Sequence, residues 1–577
     1  MFAVGGDSTT AGSFSTVDAT TGADPVQVSN GLLILNATDL QSEGFGASWG
    51  VSRSWANTTA FAHSMDHAGH GWDINQHPQL IEPMGASGPV EVLTDASAAI
   101  WFQGGTGALT PWANNQQTLS YNSTSDLYTL TDLKGDQTTF YGFSNSSYST
   151  FAGGFEGYQP ASGSLISVTS HVASGDPAAG AIQQEQRQQT IGSLTTTEFL
   201  DYNYSGGLLT NVTLQRQTGS GALTTIRKAA YSYYVSGDPF GNPGDLKTAS
   251  EEDASGNILS ETYYRYTTNG SDLLTLEFTG PDFARLQQNQ GSTGALTAGN
   301  DTVAPFATLN LSYDPSGSLT TTIPQQPYGG STYSIAPVSS ETVAGVGGTD
   351  HGGLGTYSFT YEPNVNFANS SDVAMFSPAS TSSDQYNLAV NITTEELPDG
   401  LVDTYYLNYA GQTILTAEAS STGTRYAYNT YDGNGRLAST ASPLAIASAT
   451  YDYASGILAV TENPNTGLIT SYDYGLTTTA GASAGSVAGY LRDTKVQQGS
   501  AGTPDEISSV DYKAQTVGSA TIYYVADNTV YRNVSVNGSG GENYQLFQCL
   551  LQRQLRCLFF NHHSARNQRG GERIGHG

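Results

Sequence analysis

Four tyrosines, Tyr409, Tyr431, Tyr451 and Tyr472, return at intervals of 22, 20 and 21 residues, and aspartate follows three of them as Asp432, Asp452 and Asp473. A period near twenty marks a repeat array, in which one unit is too small to bury its own flank and must stack on its neighbours. The fullest unit reads Thr424-Arg425-Tyr426-Ala427-Tyr428-Asn429-Thr430-Tyr431-Asp432-Gly433-Asn434-Gly435-Arg436-Leu437. Its alternating tyrosines suit a pleated, half-buried strand. Asp432 can accept from the backbone ahead of it, and Gly435 can take positive φ without a Cβ clash. The unit therefore reads as strand, turn, strand.

Weaker copies lie upstream: Tyr202-Asn203-Tyr204-Ser205-Gly206-Gly207, Asp253-Ala254-Ser255-Gly256 before Tyr264-Arg265-Tyr266, and Tyr406-Leu407-Asn408-Tyr409-Ala410-Gly411. The segment from Tyr128 to Phe140, through Asp132 and Gly135, is also strand, turn, strand. With 67 glycines, 35 tyrosines and only 12% charged residues, short strands and turns are favoured over amphipathic helices, and the expected class is all-β. A single hairpin is not independently stable, so successive hairpins should pair edge to edge.

The unit resembles the YD repeat of the RHS (rearrangement hot spot) family, whose pattern is Arg-Tyr-x-Tyr-Asp-x-x-Gly-Arg-Leu and then Pro-x-Gly. Arg425, Tyr426, Tyr428, Tyr431, Asp432, Gly435, Arg436 and Leu437 carry the match. Tyr451, Asp452 and Gly456 repeat it without the arginine, and Tyr472 and Asp473 keep only the Tyr-Asp pair. The opening is also similar to that of RHS bodies: Thr38-Asp39-Leu40, Arg53-Ser54-Trp55, then Gly69-His70-Gly71-Trp72. The resemblance implies a long curled β-sheet spiral, here a divergent member that is either incomplete or without cargo. In relatives such a spiral closes into a hollow shell.

Residues 1–25, rich in Gly, Ser and Thr, read as a flexible leader. Residues 26–200 are the N-terminal RHS-like β region, and 201–540 the degenerate repeat region. A Gly/Ser/Pro-rich stretch at 327–383 is either a long loop or a divergent repeat. Residues 541–577 differ in kind: they hold both cysteines, Cys549 and Cys557, and five arginines against two glutamates, so +3, leaving −30 − 3 = −33 for residues 1–540. This switch fits either a shifted reading frame or a basic tail with a short helix over 544–559.

A net charge of −30 repels phosphate backbones and anionic lipid, so neither nucleic-acid binding nor membrane docking is expected. No apolar run reaches membrane-span length and no signal peptide is visible. With no thiol before Cys549, disulfides do not hold the body together.

His63, His67, His70 and His77 crowd into fifteen residues with Asp66 and Asp73. On a helix, His63, Asp66, His67 and His70 would share one face, a transition-metal ligand set. Gly69 and Gly71 favour a turn instead, so polar loop histidines and no metal are expected. Tyr313-Asp314-Pro315-x-Gly317 is similar to the Asp-Pro-x-Gly element that closes RHS cores, but repeat-like sequence continues beyond it, and it reads as an ordinary turn. No Gly-x-Ser-x-Gly elbow, His-Glu-x-x-His or phosphate loop is present, so a non-enzymatic chain without cofactor is expected. The resemblance implies an extracellular or cell-envelope structural role, in cell contact or as a toxin shell whose C-terminal cargo domain is absent here. The alternative is a carbohydrate-binding adhesin or polysaccharide-processing β-protein, with tyrosine planes set against surface glycans.

Overall fold

The computed structural model describes residues 14–15, 26–45, 47–58, 61–82, 89–96, 98–103, 109–111, 117–161, 163–314, 319–322, 332–343, 355–362, 385–389, 391–408, 410–452, 457–517, 520–531 and 541–544. Tyr409, Gly456, the 315–318 turn, most of 327–383 and of the 1–25 leader, and the tail beyond 544 lie outside them. The chain divides into two compact units, Met1–Leu437 with Ser448–Thr461, and Ala438–Ala447 with Glu462–Gly577. The fold is nearly all β, built from antiparallel hairpins in an open sheet, as expected.

In the first unit the strands of the main sheet pair in sequence order from Thr118–Asn122 onward to Gly423–Tyr431, except that Leu309–Tyr313 pairs with Val338–Val343 past a separate hairpin of Leu319–Thr322 and Thr332–Ile335. Leu194–Ser205, for example, pairs with Ile182–Ile191 on one edge and Leu208–Thr218 on the other. Gly206 (φ 60°) and Gly207 (φ 86°) close that second hairpin, supplying the two positive-φ positions of a two-residue turn. Leu200 faces Leu214 and Tyr202 faces Val212 across it, all four buried, so a one-residue slip would expose the whole row. Within the stretch at 327–383, Val338–Val343 and Gly355–Glu362 continue the same sheet.

Four other hairpins share one turn. Asp132, Asp253, Asn408 and Asp432 each accept through Oδ1 from the backbone N–H groups two and four residues ahead. Three residues ahead stand Gly135, Gly256, Gly411 and Gly435, with φ of 87°, 85°, 76° and 76°. The carboxylate or amide oxygen thus satisfies two donors that the ladder leaves over, and glycine accepts the left-handed backbone at no steric cost.

The tyrosine period has its own hydrogen-bond cause. Late in a strand, the hydroxyl donates to a carbonyl near the start of the preceding strand. Tyr204 reaches Ile182 O (2.8 Å), Tyr233 Leu209 O (2.6 Å), Tyr361 Val338 O (2.8 Å) and Tyr431 Thr413 O (2.9 Å). Those bonds span 22, 24, 23 and 18 residues, one hairpin's length. Each hydroxyl satisfies an acceptor close to where the ladder ends.

One face of this sheet packs on residues 26–74 of the same unit. Ile34–Phe45 and Ala47–Ala56 form a hairpin there, flanked by Trp72–Ile74. Leu35, Trp49, Trp55 and Trp72 share a single core with Leu200, Val212, Tyr264 and Phe359. Arg53 is buried in that layer, yet both its Nε and Nη2 reach Asp39 (2.5 and 2.9 Å), Tyr231 donates to Asp39 (2.7 Å), and the guanidinium lies 4.5 Å from the Trp72 ring centre. The charge is therefore paired through two of its three nitrogens and stacked on an aromatic face, which offsets much of the cost of burying it, although Nη1 is left without a hydrogen-bond partner.

A helix, Gly280–Thr297, interrupts the strands and was not expected from the sequence; it breaks at Gly291 (φ 71°). Thr279 precedes it, Pro281 opens it and Asp282 sits in its first turn, the usual signals of a helix start. Phe283, Leu286 and Ala295 bury its inner side, and Arg265 donates to the carbonyls of Ala295 and Ala298 at its far end.

In the second unit, Leu468–Tyr474, Leu491–Gln498, Asp505–Val517, Ala520–Tyr531 and Gly541–Tyr544 pair in succession. The Tyr512 hydroxyl spans 21 residues to Leu491 O (2.7 Å), the same lacing as in the first unit. The strand before this run, Leu437–Ala441, pairs with Leu468–Tyr474 and not with the hairpin between them in sequence. That hairpin, Ile446–Asp452 with Ile457–Glu462, forms a separate two-stranded sheet. Tyr451 anchors it, its hydroxyl donating to Ala389 O (3.0 Å) and its ring 5.2 Å from that of Tyr406.

Candidate functional site

The histidine-rich segment is a loop, because its backbone cannot be helical. His67 (φ 53°), Gly69 (φ 101°) and Gly71 (φ 72°) all lie in the left-handed region. A Cβ on Gly71 would stand 2.7 Å from Trp55 Nε1, so close packing against the inner layer requires glycine there. The helical face that would have grouped His63, Asp66, His67 and His70 does not form, and the four residues separate into three places. His67 Nδ1 pairs with Gly207 O (2.8 Å). His70 Nδ1 lies against Asp245 (3.0 Å) and Asp272 (3.3 Å) at the surface. Backbone bonds from Leu209 N to His67 O and from His70 N to Gly244 O fasten the loop to the hairpin ends of the sheet.

His63 and Asp66 do meet, in the interior. Asp66 Oδ2 takes His63 Nδ1 (3.0 Å) and Ile74 N (2.6 Å), while Asp73 Oδ1 takes His63 N (2.8 Å). His77 extends the cluster: Nδ1 lies 3.7 Å from Asp66 Oδ1, and Nε2 lies 3.4 Å from Glu185 Oε1. Tyr202 donates to Glu185 Oε2 (2.9 Å). Glu185 and Tyr202 come from sheet strands more than a hundred residues away in sequence, so no local spacing announces them. A small cavity beside His77 is lined by Met65, Asp66, Phe151, Phe155 and His171.

Burial alone would depress the His77 pKa, but the carboxylates of Glu185 and Asp66 outweigh it and hold it up at about 9. The imidazolium is thus locked between two carboxylates. Burial, and after it the His77 charge, push neighbouring His171 down to about 4. Asp73 is pushed up to about 7, chiefly by burial and then by Asp66 and Asp95, against the pull of His63. Buried ionisable groups this close together can share protons or surround a cation.

The repeat residues hold turns and strand ends. Besides its two backbone bonds, Asp432 takes Arg436 Nε through Oδ2 (2.8 Å). Arg425 lies 3.8 Å from Glu418 in solvent, Tyr426 faces Ala417, and Tyr428 faces Leu415. Leu437 opens the next strand, Asp452 ends the first strand of the separate Tyr451 hairpin, Tyr472 faces Thr494, and Asp473 pairs with Lys495.

No protein-family model matches the chain, and no curated protein matches it. Among solved structures, the crystal structure of TcdB2-TccC3-TEV is similar at 13% identity over 81% of this chain and 24% of that one, with a TM-score of 0.20. That of TcdB2-TccC3-Cdc42 gives 12% identity, coverages of 81% and 23%, and a TM-score of 0.17. TcdB2-TccC3 without its hypervariable C-terminal region gives 11%, 80%, 22% and 0.18. The chain thus spans less than a quarter of the length of these proteins, and superpositions this loose carry no argument about its fold or function.

Proposed function

We propose that this chain is a non-catalytic structural protein of the RHS/YD-repeat kind, secreted or held at a cell surface, acting as scaffold or shell in cell contact or toxin encapsulation. The supporting observation is the recurrence of one hairpin design. The Asx-x-x-Gly turn stands at Asp132, Asp253, Asn408 and Asp432, and tyrosine hydroxyls lace strand to strand at the same period. Such a design extends a wall one hairpin at a time and leaves the loops free to vary. In the first unit, residues 26–74 already occupy one face of that wall, so enclosure of cargo is a task for other strands. The test is to resequence the coding DNA from the Gly541 codon onward in all three frames. Further Tyr-Asp hairpins, then an Asp-Pro-x-Gly element and a variable domain, support the shell. A tail confirmed over 542–577, with nothing repeat-like after it, overturns encapsulation.

One observation favours a second reading, a carbohydrate-binding adhesin. Tyr426 and Tyr428 are half-buried, so their ring planes are within reach of a sugar face. Saturable binding on a glycan array, lost in Tyr426→Ala/Tyr428→Ala, supports it; an unchanged variant or a blank array overturns it.

A further inference from the structure

We propose that His63, Asp66 and Asp73 hold one divalent transition-metal ion, Zn2+ or an ion of similar chemistry, as a structural centre in the first unit. One donor atom from each residue lies within 4.8 Å of the other two. All three residues are at least nine-tenths buried, with relative exposures of 5%, 4% and 2%. An imidazole and two carboxylates form a donor set suited to a borderline ion, and two polar atoms of the group have no partner: His63 Nε2 and Asp73 Oδ2. Leaving buried polar atoms unmatched is costly, whereas a cation would take the lone pair of Asp73 Oδ2 and, with the Nδ1 proton turned to Asp66, that of His63 Nε2.

The surroundings hold the donors in place. Asp73 is fixed by the His63 backbone N–H (2.8 Å), and Asp66 by the Ile74 backbone N–H (2.6 Å). Outside them, the Asp66–His77–Glu185–Tyr202 chain orients the Asp66 carboxylate, as hydrogen-bonded outer groups do around metal ligands. A second group, His70 with Asp245 and Asp272, is equally close-set, but His70 is half exposed and its Nδ1 already faces both carboxylates. It supplies the control.

The donors are sealed from solvent, so the ion would enter as the chain folds. The full chain is therefore expressed with Zn2+, and separately with Co2+, then passed over a chelating resin and analysed for metal. About one ion per chain is expected, with the d–d absorption of a low-coordinate Co2+ site in the second preparation. Asp73→Asn, which keeps the shape of the side chain, should lower retention at least about tenfold. His70→Gln should leave retention unchanged. Substoichiometric metal in the wild-type chain overturns the proposal without recourse to any variant. So does retention that survives Asp73→Asn or disappears with His70→Gln.

Discussion

The strands from 182 to 278 and those from 468 to 531 both form antiparallel hairpins, yet among the described residues a second layer is seen packed on the first set alone. In the first set, buried positions such as Leu200, Leu214 and Tyr264 share one core with Trp49, Trp55 and Trp72, and the Tyr264 ring lies 5.0 Å from that of Trp72. In the second, Leu491–Gln498 runs intermediate or exposed throughout, and Leu468–Tyr474 buries only Ile469. Tyrosine lacing is common to both, at Tyr233 and at Tyr512. Lacing is therefore independent of how deeply the strands are buried, while depth of burial depends on what lies against the sheet.

The largest expected effect tests that difference directly. Trp72 is buried, donates to Tyr266 OH (2.9 Å) and supports Arg53. Trp72→Ala should cost about 3–5 kcal/mol. Amide exchange should speed up across 194–278 and stay unchanged across 468–531; equal loss in both would break the distinction. Acid dependence comes next. Burial pushes Glu91 up to about 8 and Glu277 up to about 7, above the unfolded value of 4.5. A folded pKa above the unfolded one gives stability that is full below about pH 4.5 and is lost as pH rises through 7–8. Thermal unfolding of the first unit should accordingly fall between pH 6 and 9, and Glu91→Gln with Glu277→Gln should flatten the slope.

Smaller effects should ignore the difference between the units. Gly435 in the first unit and Gly467 in the second both have positive φ, and an added Cβ would meet Tyr386 at 2.6 Å or Ala445 N at 2.0 Å. Each Gly→Ala change should cost about 1–3 kcal/mol or more by denaturant titration, while Gly433→Ala, facing open space, should be nearly neutral. Smallest are the hydroxyl deletions. Tyr233→Phe and Tyr512→Phe should each cost about 0.5–1.5 kcal/mol, and unequal values would show that lacing depends on burial after all.

What the sequence made legible was local. Asp432 and Gly435 do what their spacing implies, and so do Asp253 with Gly256 and Asn408 with Gly411, because a turn is decided by residues that touch within five positions. The destination of a strand is not decided that way. Nothing near Tyr451 shows that its hairpin leaves the main sheet, since the anchor is Ala389. His63, Asp66, Asp73 and His77 were visible as a crowd of ligating types, but their grouping needed the left-handed backbone at His67, Gly69 and Gly71 and partners from the sheet. The helix at Gly280–Thr297 carried its own start signals in Thr279, Pro281 and Asp282. It was obscured by Gly291 and Gly294 and by the β-rich composition on either side.

The layer formed by residues 26–74 also sets an order of events. Most of the strands around it pair with their neighbours in sequence, so most hairpins can close soon after they are synthesised. The inner layer cannot do the same. Ser42 waits for Glu198, Asn57 for Ala336 O and Val28 O for Thr393, at separations of 156, 279 and 365 residues. Residues 26–74 are thus made before the strands that cover them and are among the last to find their place, with three tryptophans uncovered meanwhile. Ribosome-bound chains released before residue 393 should carry that segment protease-sensitive beside hairpins that already resist cleavage.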